Sequence, residues 1–159
     1  METKYIILLV LVAAGVAVWL LPKAAFASRI SMSERSYTII HAIGLICGCT
    51  GFIVTIMFPS SILSEHIYEL LLLPVVAAYA VYPAIVARVR RSSELYDEKQ
   101  IWDTTRAAAL SLGATMMTMF VVYAFYNEHV LTGTIWFPLL MFSVVAWYSG
   151  GTLLFHRSS

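Results

Sequence analysis

The chain has 159 residues, of which 60% are hydrophobic and 12% charged, with a formal net charge of +1. A soluble domain carries ~45–50% apolar and ~25% charged residues. A water-soluble globule of this size buries too little of its surface to hide that excess, so lipid is the expected solvent, and the near-neutral charge argues against nucleic acid as a partner.

Five apolar stretches follow one another at residues 5–21, 37–58, 67–87, 107–126 and 134–155. At ~1.5 Å per residue they cover roughly 26–33 Å, the thickness of a hydrocarbon core of about 30 Å. A chain in lipid must satisfy its own backbone hydrogen bonds, and these runs are too long and too uniformly apolar for barrel strands. The expected fold is all-α: a polytopic transmembrane helix bundle of about five spans, forming one domain over 1–159.

The first run follows Lys4 and precedes Ala25-Phe26-Ala27, which looks like a small-residue signal-peptidase site. Cleavage there would leave the arginine-rich segments outside, against the charge rule, so the run reads as a span that ends at Pro22. The second run holds Gly44, Gly48 and Gly51. Glycines four apart share a face and admit another helix backbone, so these three are expected to form a tight helix contact. Cys47 and Cys49 point to different faces and are not expected to pair. Pro59 ends this span.

The turn at 59–66 carries Ser64-Glu65-His66 and contains no Lys or Arg. The third span then carries Glu69 one turn in, with Pro74 and Pro83 expected to kink it. Asn127-Glu128-His129 repeats the Glu-His pattern between the fourth and fifth spans, and each such turn precedes a proline-containing helix (Pro74, Pro138). Together Glu65, His66, Glu69, Glu128 and His129 would gather three carboxylates and two imidazoles at one membrane face. Oxygen and nitrogen donors of this kind suit a divalent transition metal such as zinc, or a proton site.

All four histidines, His41, His66, His129 and His156, fall at helix ends or in turns. One pair at each face raises a second cofactor alternative, b-type haem held by two histidines. The primary expectation is that no cofactor is bound.

The most polar segment is the loop at 88–106. Ser92 or Ser93 offers a cap, and from about Asp97 the pattern turns helical and runs into the fourth span. Asp103 stands at ion-pair spacing from Lys99 and Arg106 on a helix surface. Arg90, Arg91, Asp97, Glu98 and Lys99 form the expected docking surface for a partner. The sequence Tyr96-Asp97-Glu98-Lys99-Gln100-Ile101, followed by Arg106-Ala107-Ala108-Ala109, resembles the Asp-Glu-Arg-type motif of uncharacterised small multi-spanning membrane proteins of bacteria and archaea, with Lys99 where arginine is usual. The resemblance covers about a dozen residues. It implies a prokaryotic membrane protein acting through a partner, and no chemistry comes with it.

Orientation follows from the cations. Lys23, Arg29, Arg35, Arg88, Arg90, Arg91, Lys99, Arg106 and Arg157 fall on one side and only Lys4 on the other. The positive-inside rule gives N-out, C-in. Phosphate-loop, nucleophile-elbow and His-Glu-x-x-His motifs are missing. The expected function is therefore non-enzymatic: an accessory, regulatory or assembly subunit in the cell (inner or plasma) membrane, embedded in the bilayer beside other membrane subunits or copies of itself. A small metal-ion or proton transporter or channel, or a haem-carrying subunit, is the alternative.

Overall fold

A computed structural model describes residues 9, 12–13, 15–16, 33–64, 67–90, 98–128 and 135–158. These are 97% helical with no strand. Helix α1 is Glu34–Met57, α2 Pro59–Ser64 and α3 Ile67–Val76; a π-helical turn, Ala77–Val81, joins α3 to α4, Tyr82–Arg90; α5 is Glu98–Asn127 and α6 Trp136–Ser158. Four helical stretches are long and apolar enough to cross a membrane: Glu34–Met57, Ile67–Val86, Glu98–Asn127 and Trp136–Arg157. The first expected span, 5–21, lies largely outside the described residues.

Local chemistry sets the boundaries. Ser33 caps α1, its hydroxyl accepting from the Ser36 amide at 3.2 Å, and Glu34 adds negative charge where the helix dipole favours it. Phe58 leaves the helical region because Pro59 follows it. The turn expected at 59–66 is not irregular: Pro59 restarts the chain as the first residue of α2, where its missing N–H costs nothing.

The third span is where proline matters most. The π turn lies between Pro74 and Pro83 and is closed by the Tyr82 amide bonding to the Ala77 carbonyl, five residues back. Pro83 cannot donate to a carbonyl in the preceding turn, so the ladder there is already broken. A widened turn is the local response, and such turns re-aim side chains.

Helix α5 begins nine residues before the expected span at 107, at Glu98, and continues without a break to Asn127. Helix α6 is central, with α1 on one side and α5 on the other, while α3 and the π turn pack against α1. The α1–α6 approach uses the glycines. A Cβ on Gly48 would lie 2.6 Å from the Ala146 backbone nitrogen, and one on Gly44 would run into the Ser149 hydroxyl. Gly51 lies directly against the Phe142 ring. On the other flank of α6, a Cβ on Gly151 would lie 3.4 Å from that of Ala107 on α5.

An apolar core of Ile62, Val122, Ile135, Leu139 and Phe142 fills the end of the bundle where α1 stops. The outer face of α5, with Leu112, Met116, Met117 and Phe120, is strongly exposed, as a lipid-facing helix requires.

Candidate functional site

Polar side chains collect at the opposite end, where α1 begins and α6 finishes. His41 sits two turns into α1 and is 3% exposed. The sequence reading put every histidine at a helix end or turn; this one is instead inside the bundle. Its Nδ1 is 2.8 Å from the Tyr79 hydroxyl, which is 2.8 Å from Ser149 Oγ. Ser149 also donates to the Val145 carbonyl at 2.6 Å. A hydroxyl has one proton to give. With the Ser149 proton on Val145, Tyr79 can give its proton to Ser149 and accept one from His41 Nδ1. Tyr79 reaches both partners from the π turn, so the two prolines aim the residue that links α1 to α6.

A second group lies one layer nearer the end. His156 Nδ1 is 3.2 Å from Asp103 Oδ2, and its Nε2 is 3.6 Å from Glu34 Oε1. Asp103 is 1% exposed, which corrects the expectation of an ion pair with Lys99 or Arg106 on the helix surface. Asp103 faces α6, and Arg106 lies over the Trp102 ring at 4.9 Å. The buried positions Gln100, Asp103, Ala107 and Ser111 form one stripe on α5, three or four residues apart; that period could have marked Asp103 as inward-facing.

Tyr37 joins the two groups. Its ring is 4.6 Å from that of His41 and 5.1 Å from that of His156, and its hydroxyl donates to the Gln100 carbonyl at 3.4 Å. The Tyr37 ring fills the space between the imidazoles, so His41 and His156 do not clamp a haem in this arrangement. Tyr148 packs edge-on to His41 at 5.7 Å.

An open cleft of about 710 Å³ leads into this end, lined by Glu34, Arg35, Thr38, Ile39, Leu153, His156 and Arg157. Further along the α1–α6 seam lies a second, largely apolar cavity of about 310 Å³, lined by Cys49, Phe52, Ile53, Thr118, Ser143, Ala146 and Trp147. Trp147 there donates to Thr118 at 3.0 Å, tying α6 to α5.

The other expected site residues fall as follows. Glu69 lies in the first turn of α3, half-buried, with one carboxylate oxygen shielded from solvent. Glu128 follows the end of α5 and is exposed. Glu65, His66 and His129 lie outside the described residues, so the five are not brought together by what is described. Among the described residues no group of three or more His, Cys, Asp or Glu is placed to hold a metal ion. Of the expected docking residues, Glu98 and Lys99 open α5 with exposed side chains, Arg90 is the last residue of α4, and Arg91 and Asp97 lie outside the described residues.

No known protein family, curated protein or solved structure matches the chain.

Proposed function

We propose that this protein is a non-enzymatic multi-pass protein of the cell (inner or plasma) membrane, oriented N-out and C-in, that serves as an accessory, regulatory or assembly subunit. The observation that carries the reading is the start of α5. Thirty residues of helix measure ~45 Å, about 15 Å more than the hydrocarbon core. The surplus matches residues 98–106, a helical ledge beyond the apolar part of the span. Its inner face is tied down by Gln100 to Tyr37 and by Asp103 to His156. Its outer face presents Glu98, Lys99, Ile101 and Trp102, the last 58% exposed. A rigid ledge bearing an aromatic residue beside charges suits recognition of a partner. Arg90, Arg91 and Asp97 belong to the same polar segment of sequence.

Gentle purification from the native membrane, with the Glu98→Arg/Lys99→Glu double variant beside wild type, tests the reading. Wild type brings a stoichiometric subunit with it, and the variant loses that subunit while keeping its own thermal stability. A wild-type protein that purifies alone from the native membrane overturns the proposal. A tag inserted at Leu95 stays unlabelled in intact cells in the proposed orientation, and labelling from outside reverses that assignment.

A further inference from the structure

We infer that the cleft between the start of α1 and the end of α6 binds the phosphate headgroup of an anionic phospholipid, one of whose acyl chains lies along the α1–α6 seam. The inference rests on the helices spanning a bilayer and is independent of the docking ledge.

The charge balance of the cleft favours an anion. Arg35 and Arg157 both line it, one from each helix. The acids described nearby, Glu34 and Asp103, both face His156, and among the described residues neither arginine enters an ion pair. Two guanidinium groups can therefore meet phosphate oxygens, with the fork geometry that makes arginine a good phosphate ligand. They stand at an end of two apolar helices, the level at which phospholipid phosphates lie.

A free phosphate would use only that mouth, but a second, separate cavity lies further along the same pair of helices. The cleft's lining includes Leu153, and next along the seam a Cβ on Gly150 would meet Leu45 at 3.3 Å, where the two helices pack closely. Beyond this lies the second cavity, with Ala146 and Ser143 on its α6 side. Leu153, Gly150, Ala146 and Ser143 recur at helical spacing on one face of α6, and Leu45, Cys49 and Phe52 do the same on α1. From 153 to 143 the seam runs ~15 Å, about the depth of one leaflet. The basic mouth and the apolar track thus match the two parts of a single lipid. The source of the phosphate is the bilayer.

Native mass spectrometry of the full chain in mild detergent, titrated with phosphatidylglycerol or phosphatidylcholine, tests the site. Wild type retains one phosphatidylglycerol in preference to phosphatidylcholine. Arg35→Gln and Arg157→Gln each weaken phosphatidylglycerol about fivefold, from ~1 kcal/mol per basic group near an anionic headgroup, while Arg106→Gln, outside the cleft, leaves it unchanged. Glu34→Gln removes the negative group at the mouth and tightens binding, a gain that a misfolded variant cannot give. Equal retention of both lipids overturns the inference. So does an Arg35→Gln/Arg157→Gln protein that melts like wild type and keeps its phosphatidylglycerol. Competition by millimolar inorganic phosphate or glycerol 3-phosphate as effective as that by the lipid would assign the mouth to a soluble phosphate and overturn the lipid assignment.

Discussion

Replacing Gly48 with alanine adds one methyl group at the tightest backbone approach of α1 to α6. The new Cβ would stand 2.6 Å from the Ala146 nitrogen and 2.8 Å from its Cα. Carbon contacts relax at ~3.5–4.0 Å, so the two helices must part by roughly 1 Å. The obstacle is backbone and cannot swing aside. Overpacking of this kind costs ~1–3 kcal/mol, against which alanine recovers ~0.8–1.0 kcal/mol of helix propensity. The same substitution at Gly113 on α5 meets nothing within 4 Å and keeps the whole propensity gain. The two variants are therefore expected to differ by ~2 kcal/mol, which corresponds to about 4–8 °C in midpoint for a chain of this size. Thermal unfolding in one mild detergent, followed by loss of the monodisperse peak, reads the difference directly. If Gly48→Ala and Gly113→Ala raise the midpoint equally, α1 and α6 do not meet through this glycine, and the seam argued above is wrong.

The Asp103–His156 pair predicts an asymmetry. Removing the acid leaves an imidazole that still faces Glu34, so Asp103→Ala costs only a lost hydrogen bond, ~1–2 kcal/mol. Removing the imidazole strands a carboxylate that is 1% exposed, and His156→Ala costs more, ~3 kcal/mol; melting midpoints in the reverse order refute the pairing. At the deeper layer, Tyr79→Phe takes the hydroxyl from both His41 and Ser149, a loss of ~1 kcal/mol at the values typical of hydrogen bonds between membrane helices. Ser149→Ala leaves the Tyr79–His41 bond intact and lowers the midpoint less; an equal or larger drop shows that Tyr79 does not bridge the two helices.

Much of the architecture is written in the chain at low resolution. Apolar runs of about twenty residues have one stable form in lipid, and four of the five expected spans coincide with long apolar helices. Pro59 marked the end of α1 because its effect on Phe58 is local. What escaped depends on tertiary packing. Asp103 looked like a surface charge because Lys99 and Arg106 stand at helical ion-pair spacing, yet its helix turns it toward His156, fifty-three residues away. His41 looked interfacial because it is near the start of a helix, and the approach of Tyr79 and Tyr148 from other helices, with Tyr37 beside it, encloses it. The prolines announced a distortion in the third span without saying that it would take the form of a π turn, or that the turn would present Tyr79. The Glu-His turns, which sequence made the more prominent candidate, have three of their five expected members outside the described residues.

The placement of the polar groups follows from the solvent. Buried hydrogen-bonding groups in a membrane protein must find partners inside the chain, and the histidine–tyrosine cluster does so at one end while the other end is packed with aliphatic and aromatic side chains. That end is also where α5 extends nine residues beyond the apolar run that begins at Ala107. Asp103 and Gln100 lie on the inner face of the same nine residues whose outer face carries Glu98, Lys99, Ile101 and Trp102. A load on the ledge therefore acts on the bonds to His156 and Tyr37, and Tyr37 touches His41. His156 and Glu34 line the cleft assigned to the lipid headgroup. The exposed face of these nine residues, the histidine cluster and the cleft are thus linked through Gln100, Asp103, Tyr37 and His156.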